Sequence, residues 1–438
     1  MSIINSQQTE RSVQRDRRPR MLTIATEAET EPLAAIGAER VWSGRTSFGL
    51  VIAAQVLLLA ASNFPTPLFP IYEHRYGFSS GVVTLLFGVY VLAVIPTMLT
   101  LGRLADRVGR RPVLVAGIAI SAVSSLAFAF ARNVGWLFAG EIVYGVAAGL
   151  VMSCVSVTIR ELHPTQSAAG GALAATLAAA AGLALGPLVS GLLATVTPWP
   201  TVTPYALDIV LAAVLASALL RIPETRPIGA GAPARRAPIF QVPAEIRKAF
   251  VATALAGCTS WMITGWVFGL GPSFLHEKLG VHITQPVVAG MFAALMVTSN
   301  GAAQIALRHR GTTIALRNGL ILTAAGLAVI ASSAPAHSLA VALLGAVIAG
   351  SGAGAVQMTT MATILRIAPA HARGGVTSAF LSLCYVAMSV PVVIAGLSAD
   401  RVGLGVVTGW YLVGLVALVT AALIAGRGQW RAPQAETR

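Results

Sequence analysis

Apolar runs of eighteen residues or more recur along this chain, and short polar joints separate them. Each run is long enough to cross a hydrocarbon core of roughly 30 Å as a helix. Backbone amides in lipid find no water, so only helices and closed barrels can cross. Barrel strands alternate polar and apolar residues, and these runs do not. The expectation is an all-α membrane protein with about twelve transmembrane helices. The first six spans are read roughly at 47–72, 79–101, 112–131, 135–159, 168–196 and 203–222. The second six are read roughly at 248–275, 286–307, 313–334, 338–364, 374–399 and 404–426.

Charge fixes the expected orientation. Of the 30 Lys and Arg, all but Arg75, Arg132, Lys278 and Arg401 fall on one side of this scheme. The positive-inside rule then puts both termini in the cytoplasm, with the protein in the inner (plasma) membrane. A net charge of +14 on a soluble chain would suggest nucleic acid. Here the basic residues sit in joints between apolar spans, so nucleic acid is not expected as a partner. With 56% hydrophobic and 11% charged residues, the chain is also too apolar for a soluble domain.

Five segments follow. Residues 1–46 are polar, lack an apolar h-region and read as a disordered cytoplasmic tail rather than a signal peptide. Residues 47–222 form an N-terminal six-helix bundle. Residues 223–247, rich in Pro, Gly and Arg, form a cytoplasmic linker. Residues 248–427 form a C-terminal six-helix bundle, and 428–438 a cytoplasmic tail. The two bundles read as pseudo-repeats. Gly170-Gly171 precedes Pro187 as Gly374-Gly375 precedes Pro391, at an offset of 204 residues. Cys154, Cys258 and Cys384 all lie within spans, as small packing residues do.

The joint GRLADRVGRR, Gly102 to Arg111, concentrates charge between two apolar spans. Gly102 and Gly109 supply backbone freedom for a tight turn. Arg103, Arg107, Arg110 and Arg111 suit an anionic inner leaflet. Asp106 does not, and so calls for another role. In span 5, Gly182, Gly186 and Ser190 recur every four residues as one stripe of small side chains, with Pro187 and Gly191 beside it. Such stripes let membrane helices approach closely.

These residues resemble the major facilitator superfamily. GRLADRVGRR is similar to the family's motif A between helices 2 and 3. GLALGPLVSG, Gly182 to Gly191, is similar to motif C in helix 5, the mark of the twelve-helix drug:proton antiporters. Ser190 stands where one glycine of its final pair is usual, and Leu173 stands at another usual glycine. PETR, Pro223 to Arg226, resembles the element that closes helix 6. The resemblance implies a major facilitator fold working by alternating access. It implies that Asp106 faces the start of helix 11 near Gly374, and that Arg110 pairs with Glu161 at the end of helix 4. These contacts would shut the cytoplasmic gate. It also implies that the helix 5 stripe packs on helix 8 of the other half.

Glu141 departs from the family, because it occupies the motif B position where an Arg is usual. A carboxyl within a span costs about 2.5–3.5 kcal/mol at the bilayer centre and is seldom incidental. Glu141 is therefore either a proton carrier or a hydrated residue near the outer surface. Asp208, a few residues into span 6, is a second candidate. In this fold helices 1, 4, 7 and 10 line the central path. Candidate cavity residues are Gln55, Asn63, Tyr144, Trp261, Thr264, Asn300, Gln304, Gln357 and Tyr385. As a set they are neutral, and no Arg or Lys lies deep in a span, which argues against anionic substrates.

The function expected is secondary active transport, as proton-coupled efflux of a small amphipathic organic compound such as a drug. A symporter or facilitator for a nutrient is the alternative, and a membrane sensor a more distant one. No phosphate-binding GxxxxGK[ST] run occurs, the seven histidines form no metal spacing, and no nucleophile elbow appears. An enzyme is not expected, nor are a metal or a cofactor. The expected partners are the lipid bilayer, protons and the substrate, with the chain acting as a monomer.

Overall fold

A computed structural model describes residues 42–101, 104–165, 167–226, 242–307, 312–369 and 372–427. The proposed tails lie largely outside these residues, as do Gly102, Arg103 and most of the linker. The described chain is helical, with no strand. In the first half the helices are α1 (Gly44–Ala61), α2 (Phe69–Tyr76), α3 (Ser80–Leu101), α4 (Leu104–Val108), α5 (Arg110–Ala129), α6 (Val134–Glu161), α7 (Ala168–Val196) and α8 (Thr203–Leu219). The second half has α9 (Arg247–Gly269), α10 (Gly271–Leu279), α11 (Pro286–Leu307), α12 (Thr312–Ser333), α13 (Leu339–Ile367), α14 (Arg373–Val402) and α15 (Leu404–Ala425).

Among the described residues, eleven helical stretches are long and apolar enough to cross a membrane. α8, with 17 residues, is the shorter twelfth, at about the lower limit for a span. The chain is a multi-pass membrane protein.

Two expected spans are not continuous. Span 1 is α1, a one-turn segment Thr66–Leu68, and then α2. The proline ring removes an amide donor and crowds the preceding turn, and Pro65, Pro67 and Pro70 act here in succession. Span 7 is α9 followed by α10, broken at Leu270 just before Pro272. α2 and α10 repeat one design. Each has Pro in its first turn and ends on a left-handed glycine, Gly77 (φ 67°) and Gly280 (φ 65°). A side chain at either position would be strained.

Polar side chains start several helices by accepting an otherwise orphaned amide. Ser43 accepts from Thr46, Asn133 from Gly135, Ser167 from Gly170 and Ser338 from Val341.

The first-half helices pack α1 on α7, α3 on α6, and α5 on both α6 and α8. In the second half α12 and α11 pack on α13, and α9 on α14. Two seams join the halves, α7 against α11 and α3 against α14. Phe87, Leu183 and Ala184 of the first half pack on the core around Trp266 and Phe292. Tyr385 of the second half packs on the core around Leu58 and Tyr144.

The end bearing α4 and the start of α5 is here called the basic end, and the opposite one the far end. At the far end the halves touch directly. The Val287 amide donates to Thr195 Oγ1 at 3.2 Å, and α2 packs on α10.

Candidate functional site

The basic end is organised around one carboxylate. α4 is a single turn, and Gly109 reverses the chain with φ 95°. A Cβ at Gly109 would run into Glu224. The Arg110 amide donates to Glu224 Oε1 at 2.8 Å, and the Arg111 amide to Oε2 at 3.0 Å. Glu224 thus caps the start of α5, where unpaired amides and the helix dipole favour an anion. It also accepts the Arg226 amide at 3.1 Å, which folds the PETR turn around it. The Arg110 guanidinium forms an ion pair with Glu161 at the end of α6. Helices α5, α6 and α8 are therefore tied together where the motif lies. The side chain of Asp106 lies outside the described residues. Gly374, its expected counterpart, is exposed, and a Cβ there meets nothing within 4 Å. The role of Glu224 was not anticipated. Its signal is a carboxylate two positions beyond the end of the sixth span, and the start of α5 carries no acid of its own.

The helix 5 stripe does not face the other half. A Cβ at Gly182 would meet the Val56 carbonyl, and one at Gly186 the Ala60 carbonyl, both on α1. Ser190 Oγ donates to the Phe64 carbonyl at 2.6 Å. The stripe is a backbone-to-backbone seam inside the first half, which corrects the expected packing on helix 8. α7 does pack on α11, through a neighbouring face. A Cβ at Gly191 would meet Pro286, one at Gly290 would meet Pro187, and one at Gly301 would meet Ala180. Successive residues turn 100° about a helix, so two small-residue faces fit side by side on α7.

Three expected cavity residues turn into the first-half core instead. Gln55, 2% exposed, donates through Nε2 to the Ala175 carbonyl at 3.0 Å. Asn63 donates to the Leu59 carbonyl at 3.1 Å, one turn back. Tyr144 donates to the Leu58 carbonyl. Asn63 and Tyr144 satisfy carbonyls just before the break in span 1, where a buried acceptor would otherwise be costly, and Gln55 ties α1 to α7 while its Oε1 stays buried without a partner.

The second-half candidates stay partly exposed and come together in two groups. Gln304 Nε2 donates to Asn300 Oδ1 at 2.8 Å, and Asn300 Nδ2 donates to Gln357 Oε1 at 3.4 Å. Trp261 and Tyr385 meet edge to face at 4.8 Å. Thr264 bonds back to the Ser260 carbonyl at 2.8 Å. An amide triad and an aromatic pair offer neutral hydrogen bonds and π-faces.

Both candidate acids are buried in the first half. Glu141 is 6% exposed, so it is no hydrated surface residue. Among the described residues no basic side chain forms an ion pair with it. Asp208 is fully buried. One of its oxygens accepts from Ser125 Oγ at 2.7 Å, and the other has no hydrogen-bond partner. Tyr72 and Tyr205, both buried, join their hydroxyls at 3.1 Å. Phe128 stacks on Tyr205 and abuts Gly140, next to Glu141.

A family model described as the Major Facilitator Superfamily matches residues 51–392. The chain is 27% identical to the multidrug resistance protein MdtL of Klebsiella pneumoniae over 357 residues, which cover 78% of this chain and 87% of that protein. It is 32% identical to the multidrug efflux pump LfrA of Mycolicibacterium smegmatis over 178 residues, 40% of this chain and 35% of that pump. It is 33% identical to the efflux pump azaK of Aspergillus niger over 159 residues, 35% of this chain and 33% of that pump. In the last two cases the match spans about a third of the relative's length. Among solved structures, a POT family transporter in complex with 5-aminolevulinic acid superposes with a TM-score of 0.74 at 11% identity, over 89% of this chain and 97% of that one. A bacterial homologue of the human lysosomal transporter Spinster, inward-facing and unoccupied, gives 0.71 at 14% identity, over 90% and 99%. At such identities the likeness is one of fold.

Proposed function

This chain belongs to the Major Facilitator Superfamily and is a membrane transporter rather than an enzyme, and from that premise we propose that it exports amphipathic organic compounds in exchange for protons. The observation that carries this reading is Glu141, a carboxyl sunk in α6 with no ion-pair partner among the described residues. An acid so placed has a reason to exist if it gains and loses a proton during the cycle. Asp208 is the second such group. The amide triad and the Trp261–Tyr385 pair favour a neutral or weakly polar, partly aromatic substrate, and the relatives named as multidrug pumps agree with that class.

In this reading the basic end faces the cytoplasm, as the positive-inside rule favours. The far-end contacts then close the outer side, and the chain stands facing inward. Asp106, Gly109 and Arg110 belong to the cytoplasmic gate, with Glu161 and Glu224 as its supports. One proton crossing 100 mV yields about 2.3 kcal/mol. A tenfold gradient costs about 1.4 kcal/mol. One proton per cycle therefore sustains roughly a fortyfold gradient of a neutral compound.

The test uses proteoliposomes and a fluorescent amphipathic dye. Glu141→Gln mimics the protonated acid. It is expected to keep dye counterflow and to lose accumulation driven by a pH gradient. Full pH-driven accumulation by Glu141→Gln would remove Glu141 from the coupling path and pass the test to Asp208.

A further inference from the structure

Two far-end carboxylates each accept a hydroxyl from the opposite half, in opposite senses. Ser273 Oγ of α10 donates to Glu73 of α2, at 3.1 Å from Oε2 and 3.3 Å from Oε1. Ser79 Oγ, at the start of α3, donates to Asp400 Oδ2 of α14 at 2.8 Å. Ser80 Oγ adds a third bond, to Glu73 Oε1 at 2.9 Å. Glu73 and Asp400 border one cavity of about 360 Å³, together with Glu277, His74 and His276.

The partners are unusual for a latch between carboxylates, because they are hydroxyls and not bases. Among the described residues no basic group forms an ion pair with Glu73. On its own helix, Arg75 donates to Thr201 Oγ1 at 3.1 Å and lies over the Tyr76 ring. His74 lines the cavity. From α10 come His276, whose Nδ1 bonds the Val281 carbonyl at 2.9 Å, and Glu277 and Lys278. From α14 come Asp400, held by Ser79, and Arg401. α3 contributes only Ser79 and Ser80. Three carboxyls thus border one cavity, with Glu73 half-buried and Asp400 and Glu277 exposed, and like charges brought close together repel. Partly desolvating an ionised carboxylate against hydroxyls alone is costly.

We infer that Glu73 is a proton-binding site at the outer mouth, and that it is filled as the halves close there. With the halves parted, Glu73 stands in water as a carboxylate. On closure Ser273 replaces that water, and a proton from the outer medium adds to a Glu73 oxygen. No other bond is made or broken. The inference rests on the proposed orientation and exchange. It adds a device that they do not supply: the outer gate shuts more readily when it has taken up a proton, so an empty, unprotonated carrier is held back from returning inward.

The experiment measures the outer gate itself. Spin labels on Arg132→Cys and Ala336→Cys, exposed far-end positions in the two halves, are placed in a cysteine-free background of the full chain in liposomes. Their distance is read at alkaline and acidic outer pH. The wild-type background should shift toward the short distance as pH falls. Glu73→Gln should stay short at both. Ser273→Ala removes the crossing bond and keeps the carboxyl, so its transition should move to lower pH. A His74→Gln/His276→Gln variant should respond as the wild type does. An unchanged distance in the wild-type background would overturn the inference. So would a wild-type response from Glu73→Gln, or its loss in the histidine variant. Failure of the exchange reading shows up separately, as absent pH-driven dye flux while the distance still responds.

Discussion

At the scale of single residues, Glu224 does more than its place in a short turn suggests. It closes both amides at the start of α5 and sits where a Cβ on Gly109 would be. Loss of a capping side chain costs about 0.5–2 kcal/mol. Glu224→Ala is expected to lower the thermal midpoint in detergent, while Glu224→Gln, which can still accept one amide, falls between it and the wild type. Equal midpoints for all three would dismiss the cap. The residue scale is also where the sequence was least legible. Gln55, Asn63 and Tyr144 read as cavity residues because a polar side chain in an apolar span invites a ligand. Asn63 and Tyr144 serve carbonyls beside the break in span 1, and Gln55 serves one on α7. A sequence does not distinguish a polar group that awaits a substrate from one that repairs the backbone. Glu141 stays open in the sequence between a proton carrier and a hydrated residue, because depth in the fold depends on how the helices pack, and only the structure shows that it is buried.

At the scale of elements, the spans were legible because membrane crossing is set by length and hydropathy, which are local. The breaks were legible in part. Three prolines marked the end of α1, whereas the α9–α10 break hung on Pro272 alone and was read through. The stripe on α7 was legible as a face but not as a contact, since period fixes which residues share a side and says nothing of what lies opposite. Its partner is α1. Gly186→Leu should therefore damage the first half itself: a side chain would have to displace the Ala60 carbonyl, and overpacking costs typically about 1–3 kcal/mol. Low yield and a broadened size-exclusion profile are expected. Normal yield with normal transport would remove the seam from the account.

At the scale of the molecule, the fold joins two halves by two long seams and by hydrogen bonds at one end. The 203-residue offset from Gly77 to Gly280 matches the helix 5 and helix 11 repeat within one residue. The repeat in the sequence thus has a structural counterpart, in the paired short helices α2 and α10. Gating belongs to this scale. Asp106→Asn is expected to leave yield near normal and to abolish most dye transport, because in the proposed gate it alters a contact between moving parts and not the packing of either part. Transport at the wild-type rate would refute the gate role of Asp106.

The two faces of α7 also bear on how such a carrier is stopped. One face is seated against carbonyls of α1 and, in the proposed cycle, moves with its own half. The other, with Ala180, Pro187 and Gly191, meets Gly301, Gly290 and Pro286 across the seam, with almost no side chain between the backbones. It serves as a bearing surface, and its clearance is less than a methyl group. A flat molecule wedged at Gly290 would jam the rocking of the halves while leaving each of them folded, so the seam is a place to arrest transport without competing for the substrate.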